Sequence, residues 1–159
     1  MKRLTALFVV CIFGLFAGCM KIDARYSYDN KTNFSTLTTY DWMPGVQENF
    51  SSKEYADLYQ EVMDTQLSSK GFKLSSKDPD FLIRTSPSKR FSEVYMTLYG
   101  EVEFHSGKIV VEILDAKTNK IIWEGIARAY VSEEDKPDEV KRGISKGVEK
   151  LMTGFPPSL

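Results

Sequence analysis

Cys19 is the residue whose position most clearly indicates chemistry. Residues 1–3 are a basic start, Leu4–Ala17 is almost wholly apolar, and Gly18 and Cys19 then lead into abruptly polar chain. The apolar run is shorter than the roughly 20 residues of a bilayer-spanning helix and fits the roughly 7–15 residues of a signal-peptide core. Residues 1–18 are therefore predicted to be a signal peptide, which leaves the Cys19 thiol at the new N-terminus.

The sequence Ala17-Gly18-Cys19 resembles the lipobox of bacterial lipoproteins. The resemblance implies cleavage between Gly18 and Cys19, a diacylglyceryl group on the cysteine sulfur, and a fatty acid such as palmitate on the amine. Each buried methylene contributes about 0.8 kcal/mol, so two or three acyl chains hold a protein firmly to a membrane. In such proteins, an aspartate directly after the cysteine often causes retention in the inner membrane. Met20 stands at that position, so the periplasmic face of the outer membrane is expected. The alternative is an ordinary secretory signal with a chance cysteine.

The chain beyond the signal peptide is expected to fold as one domain without disulfides. Cys11 lies in the discarded segment and Cys19 carries lipid, so 159 − 18 = 141 residues must fold on their core alone. We expect a lipidated tether at 19–24 and a single domain at 25–159. Of 21 basic and 22 acidic residues, two basic ones are removed, which leaves 19 − 22 = −3. This charge argues against a nucleic-acid partner.

No catalytic or metal-binding group of residues is evident. The single histidine, His105, precedes Ser106, but adjacent side chains on an extended chain point to opposite sides and form no dyad. The acidic segment 133–139 lacks the alternating ligands and glycine turn of a calcium loop. We therefore expect no catalytic residue, metal or cofactor, and a protein that is not an enzyme.

Two helices are predicted from hydrophobic periodicity. The first begins with Ser51 and Glu54 at capping-box spacing, presents Tyr55, Leu58, Tyr59 and Val62 on one face, and ends at Gly71. The second begins at Pro137, where a helix accepts proline, and has acidic residues in its first turn. Its apolar stripe contains Val140, Ile144, Val148, Leu151, Met152 and Phe155. Gly143 and Gly147 lie near that stripe, and they predict a close approach between helix and sheet.

Alternating residues predict the strands. "EVYMTLYGEVEF" alternates like a strand, in which Gly100 suggests a bulge or a close approach. "GKIVVEILDAKTNKIIWEGIARAYV" is a hairpin with its turn at "DAKTNK". In its second arm, Ile121, Trp123, Ala127 and Ala129 share one face, which predicts a buried Trp123. Glu112 and Arg128 are expected on a partly solvated face.

The order of these elements predicts an α+β fold. We expect a two-layer sandwich in which two amphipathic helices cover one face of a mostly antiparallel sheet of about five to six strands. The stretches "STLTTYDWMPG", "QLSSKGF", "DPDFLI", "DAKTNKIIWEG" and "FPP" also appear, in this order, in domain-of-unknown-function family 4136. The chain resembles this family of small bacterial envelope lipoproteins over about residues 26–157. The resemblance implies a fold and a location, and no activity or site residues.

Two functional hypotheses remain open. The favoured one is a non-enzymatic interaction or assembly module of the envelope, tethered by its lipid and binding envelope proteins. Tyr95, Tyr99 and Trp42 are its candidate interaction surface, although the two tyrosines could equally be cross-strand stabilisers. The alternative is a binder of a small apolar or glycan ligand between helices and sheet. An interior cavity would favour the binder, and a filled core with an exposed apolar patch would favour the module.

Overall fold

The structure is a computed structural model that describes residues 22–86, 91–97, 100–131 and 136–156, with the backbone alone described at 86, 91–97, 100–106, 130 and 131. Single 3-10 turns occur at Phe34–Thr36 and Gln47–Asn49. The strands and helices, in chain order, are β1 (Ile22–Tyr28), β2 (Thr39–Trp42), α1 (Lys53–Ser69), β3 (Lys73–Leu74), β4 (Phe81–Ser86), β5 (Phe91–Thr97), β6 (Gly100–Asp115), β7 (Ile121–Val131) and α2 (Pro137–Met152).

The strands form one open, mixed sheet. Its order is β1-β7-β6-β4-β2-β3, and β5 pairs with the first half of β6. The pairs β1–β7, β6–β7, β5–β6 and β4–β6 are antiparallel, whereas β2 runs parallel to both β3 and β4. The parallel pairing follows from the chain path, because α1 connects β2 to the next strands as a crossover. The predicted α+β class and the mostly antiparallel sheet are confirmed.

Helix α1 begins one residue later than the sequence suggested. Ser52, not Ser51, is the N-cap: its backbone is extended and its hydroxyl accepts a hydrogen bond from the backbone N–H of Tyr55 at 3.3 Å. The expected capping box is therefore wrong, since the residue three positions after Ser52 is a tyrosine. The helix turns inward the face that carries its fully buried residues, Ala56, Tyr59, Met63 and Leu67. Gly71, with φ of 91°, ends the helix as predicted.

The β6–β7 hairpin is confirmed, with one change of register. The pairing shifts between Ile113 and Leu114, so Ile122 becomes buried and Ile121 lies 43% exposed. The expectation that Ile121 shares the buried face of Trp123 is therefore wrong, because this bulge reverses the alternation at the start of β7.

Asp115 organises the hairpin turn. Its Oδ1 accepts hydrogen bonds from the backbone N–H of Lys117 and from both the N–H and the hydroxyl of Thr118. These bonds, led by that of the Thr118 hydroxyl, lower the pKa of Asp115. Asn119 follows with φ of 55°, a conformation that asparagine tolerates well.

The segment around Gly100 is a hairpin and not one bulged strand. β5 ends at Thr97, which pairs with Gly100 at the start of β6. Strict alternation continues across this reversal, so periodicity alone did not reveal it. Gly100 instead begins the returning strand, as glycine commonly does beside tight turns.

Helix α2 confirms its predicted start and its predicted contact with the sheet. Pro137 occupies the first turn with Asp138 and Glu139. A Cβ on Gly147 would meet the Cβ of Ala127 at 3.7 Å and Cδ1 of Ile109 at 3.9 Å, which places the helix axis close to β6 and β7. In the part of the chain that the structure describes, no helix is long and apolar enough to cross a membrane.

The buried core is centred on Trp123, as predicted. Its ring is fully buried, stacks on Tyr26 at a centroid distance of 6.2 Å, and meets the ring of Phe155 at 5.5 Å. Its Nε1–H donates to the carbonyl oxygen of Gly154 at 3.0 Å. Side chains of both helices and of β2, β4, β6 and β7 belong to this one core. The hairpin stretch "DAKTNKIIWEG" and the start of the "FPP" stretch, both of which carry the family resemblance, therefore meet through Trp123 and Phe155.

Candidate ligand-binding site

Most of the sequence-predicted site residues are not brought together by the structure. Gly18, Cys19 and Tyr99 lie outside the described residues. Tyr95 is placed by its backbone alone, in β5 opposite Val102 of β6. The lipidation site and the tyrosine surface therefore stay predictions.

Trp42 is half-buried, whereas the sequence suggested exposure. Its Nε1–H donates to Oδ1 of Asp64 on α1 at 3.0 Å, and the hydroxyl of Tyr40 donates to the same oxygen at 2.7 Å. Its ring also meets that of Tyr59 edge-on, with centroids 5.9 Å apart. These contacts tie β2 to α1. They leave only part of the indole for an interaction surface.

The tyrosines around Trp42 are buried structural groups. Burial raises the pKa of Tyr40, and its hydrogen bond to Asp64 acts in the same direction. Burial likewise raises the pKa of Tyr59, whose hydroxyl bonds to that of Thr85 at 2.9 Å. Both phenols therefore stay neutral at physiological pH, so neither is a candidate base.

Asp80 is a structural clamp between two segments. Its Oδ2 accepts hydrogen bonds from the backbone N–H and the hydroxyl of both Thr38 and Thr39, at 2.8 to 3.0 Å. The backbone bond from Thr38 is the main cause that lowers the pKa of Asp80. A carboxylate saturated with donors in this way holds the start of β2 and is a poor catalytic base.

The face of the sheet that was expected to be solvated carries a buried carboxylate. Glu112 is only 9% exposed, and its Oε2 accepts from Nε of Arg84 on the neighbouring strand at 2.6 Å. The expectation of a solvated Glu112 is therefore wrong, because cross-strand pairing sequesters it. Within the described ranges, no three His, Cys, Asp or Glu side chains lie close enough to hold a metal ion.

An apolar cavity of about 440 Å³ lies between α2, strands β6 and β7, and the segment that leads into α1. This volume is within the roughly 300–1,000 Å³ of small-molecule sites. The cavity exists because the facing positions are small: Gly143 and Gly147 on α2 face a floor that contains Gly107, Ala127 and Ala129. Larger side chains at these places would fill the space.

The wall contributed by the segment before α1 carries the polar atoms of the cavity. Asn49 and Ser51 lie there beside Phe50, and Tyr55 follows in the first turn of α1. The amide nitrogen of Asn49 already donates to the carbonyl oxygen of Thr85.

The only charged residue among the described lining positions is Arg128. Ala127, next to it, faces α2, so strand alternation directs the Arg128 side chain to the opposite face of the sheet. The side chains that enclose the cavity between sheet and helix are therefore uncharged. Sequence reasoning gave part of this site, since it predicted a close approach at Gly143 and Gly147 and offered a ligand between helices and sheet as the alternative function. It did not identify the space beside that contact or the residues that line it.

Comparison with known proteins gives a family. A family model described as "Domain of unknown function (DUF4136)" matches residues 24–157. The chain belongs to the DUF4136 family. No curated protein matches it.

Solved structures with TM-scores above 0.5 share the fold of this DUF4136 protein at low sequence identity, and others are less similar. A PDZ domain protein from Parabacteroides distasonis is 12% identical with a TM-score of 0.62; the match covers 95% of this chain and 40% of that protein. The PelC dodecamer from Paraburkholderia phytofirmans is 6% identical with a TM-score of 0.55, over 87% of this chain and 100% of that one. A minor lipoprotein from Acinetobacter baumannii is 10% identical with a TM-score of 0.48, over 76% and 93%.

Proposed function

We propose that this DUF4136 protein is a lipid-anchored, non-enzymatic envelope protein that binds a small apolar ligand in the cavity beneath α2. The cavity carries the proposal, because about 440 Å³ stays open between helix and sheet beside a core of fully buried side chains. Close packing is the rule in protein interiors, so an apolar space of this size between helix and sheet favours a binding function.

The lining favours an apolar ligand over a glycan. Sugars are bound by several convergent hydrogen-bonding side chains and an exposed aromatic platform. Here the floor and the helix side consist of glycine, alanine, valine and isoleucine, and polar groups occur only along the Asn49–Tyr55 wall. Trp42, the candidate platform, is tied to Asp64 elsewhere in the fold.

The location is part of the same proposal. The apolar run, the lipobox-like residues before Cys19 and the absence of aspartate at position 20 support a signal peptide, lipidation and the periplasmic face of the outer membrane. The two-layer arrangement with both helices on one face of the sheet also belongs here. It is supported by the single core that α1 and α2 share.

Binding of an uncharged apolar fluorophore, N-phenyl-1-naphthylamine, tests the proposal. We expect saturable binding with one site per chain. Gly147→Leu should remove it, because a leucine there projects toward Ala127 and Ile109 and fills the cavity. Glu149→Leu adds the same side chain at an exposed position of the same helix and should leave binding unchanged. Non-saturable binding, or equal binding by both variants, would contradict the proposal.

A second candidate is an assembly module that contacts further copies of this chain. Tyr26 and Tyr28 on β1 and Ile121 on β7 are large apolar side chains that are 51%, 40% and 43% exposed, and β1 is an outermost strand of the sheet among the described residues. Edge strands of this kind favour association. The similarity in fold to the PelC dodecamer supports the idea that a second copy is the partner.

Sedimentation analysis of the detergent-solubilised, lipidated protein tests this second candidate. Tyr28→Ser with Ile121→Ser should reduce the assembled fraction without unfolding the chain. A sedimentation profile identical to that of the parent protein would contradict assembly through β1. The surface of Tyr95 and Tyr99 stays a separate prediction. The variant that carries both Tyr95→Ser and Tyr99→Ser tests it, because envelope proteins that co-purify with the parent protein should be lost.

A further inference from the structure

The cavity lies at the end of the sheet where β1 begins. Ile22, the first residue of β1, pairs with Ala129, and Ala129 pairs with Gly107. Ala129 and Gly107 both line the cavity. The N-terminal end of β1 therefore lies at this row of the sheet. Cys19 is three residues before Ile22, so its Cα lies at most about 11 Å from that of Ile22.

The start of β1 is held in place. The Ile22 side chain is 8% exposed, and the Lys150 ammonium of α2 donates to the Ile22 carbonyl oxygen. Residues 22–24 therefore belong to the sheet, although the sequence suggested a tether through 24. Only Met20 and Lys21 remain between the anchor and the folded domain. A bilayer that holds the lipid of Cys19 is thus close to the cavity end.

The volume of the cavity matches that of an acyl chain, the main apolar component of a membrane. At about 30 Å³ per heavy atom, the volume of water in the liquid, 440 Å³ holds roughly 15 atoms. That number is close to the number of carbon atoms in one membrane acyl chain. An acyl chain needs no polar partner, which agrees with the uncharged helix and sheet walls.

We infer that the ligand is a single long acyl chain that enters from the membrane beside the anchor. This inference rests on the proposed function, from which it takes both the lipid anchor and the binding cavity. The chain has two possible sources: the acylated Cys19 itself, which lies within reach, or a separate phospholipid or fatty acid. The cavity recognises the same chemistry in both cases.

Photocrosslinking in native membranes tests the inference. Cells that produce the full-length, lipidated protein are grown with a fatty acid that carries a diazirine on its tail. The membranes are irradiated, and the protein is digested for mass spectrometry. We expect crosslinks in the peptides around Ala127–Ala129 or Val140–Gly147. If a cavity peptide is crosslinked to the lipidated Cys19 peptide, the ligand is the protein's own lipid. If it is crosslinked to a fatty acid or phospholipid, the ligand is a separate molecule.

Variants that fill the cavity show whether the crosslinks depend on it, and Glu149→Leu is the control. Gly147→Leu should reduce these crosslinks by at least about tenfold, equivalent to 1.4 kcal/mol, while Glu149→Leu should not. Val140→Phe, at the half-buried edge of the cavity, repeats the test if Gly147→Leu unfolds. Crosslinks confined to other surfaces, or unaffected by both cavity variants, would overturn the inference. If N-phenyl-1-naphthylamine still binds saturably in that case, the apolar-ligand proposal stands and only the acyl chain is excluded.

Discussion

Trp123→Ala is expected to lower the free energy of unfolding by about 3–5 kcal/mol, the usual cost of removing a large core aromatic. Three contacts are lost together: the stack on Tyr26, the edge-on contact with Phe155, and the hydrogen bond to the Gly154 carbonyl. The carbonyl is left in an apolar cavity without its donor. Gly125, whose missing Cβ makes room for the indole and for Leu151, cannot fill the space.

The smaller change Trp123→Phe separates packing from hydrogen bonding. It keeps an aromatic ring but removes the N–H, so the expected loss is about 1–3 kcal/mol, the cost of an unsatisfied buried acceptor. Domains of this size have a total stability of about 5–15 kcal/mol. The alanine variant should therefore unfold at a temperature lower by about 6–20 °C.

Urea denaturation followed by circular dichroism measures these losses. Trp42→Phe is the matched control, because Trp42 is only half-buried and its N–H bonds to Asp64, which is also half-buried. In that variant Trp123 is the sole tryptophan, and its emission, excited at a wavelength that tyrosine does not absorb, should be blue-shifted and resistant to acrylamide. A loss below about 1 kcal/mol for Trp123→Ala, or ready quenching of Trp123 in the folded protein, would refute the reasoning.

Further variants test the helix cap, the aspartate clamp and the anchor. Ser52→Ala should cost about 0.5–2 kcal/mol and Ser51→Ala less than about 0.5, as measured by urea midpoints; the reverse order would place the cap at Ser51. Because the pKa of Asp80 is lowered on folding, its stabilisation should be complete at neutral pH. It should be lost as pH falls below about 3.9 toward the folded value, and Asp80→Asn should flatten this acid dependence of the unfolding midpoint. Cys19→Ser should abolish fatty-acid labelling and leave unprocessed precursor, and equal labelling would contradict the anchor.

Local sequence signals predicted the elements whose residues repeat without interruption. Pro137 and the stripe of α2, Gly71 after α1, and the Asp115 turn each depend on neighbours within a few positions, and all were confirmed. Trp123 was predicted to be buried because four residues of its strand share parity. In these segments, local propensity and the final fold agree.

The errors came from interactions between distant segments. A bulge against Ile113 moved Ile121 outward, and cross-strand pairing with Arg84 buried Glu112. Asp64, on a different element, satisfies the indole of Trp42. The lining of the cavity was not identified for a related reason, because the space exists where glycine and alanine have little or no side chain. Small residues on α2 and β7 read as a close contact, and sequence spacing does not show where that contact ends.

Gly147→Ala tests whether the cavity has a cost in stability. A Cβ at Gly147 would make only ordinary contacts, at 3.7 Å with Ala127 and 3.9 Å with Ile109, so alanine fits. Replacing a glycine inside a helix by alanine then stabilises by up to about 1 kcal/mol. Gly125→Ala is the matched control, since its Cβ would overlap the Trp123 ring and must destabilise. Urea denaturation measures the free energy of unfolding of both variants.

If Gly147→Ala is stabilised and binds the apolar fluorophore more weakly, the glycine at 147 lowers stability but keeps the space open. If Gly147→Ala is destabilised like Gly125→Ala, glycine is required there by packing alone, and the argument from small residues to a binding cavity fails.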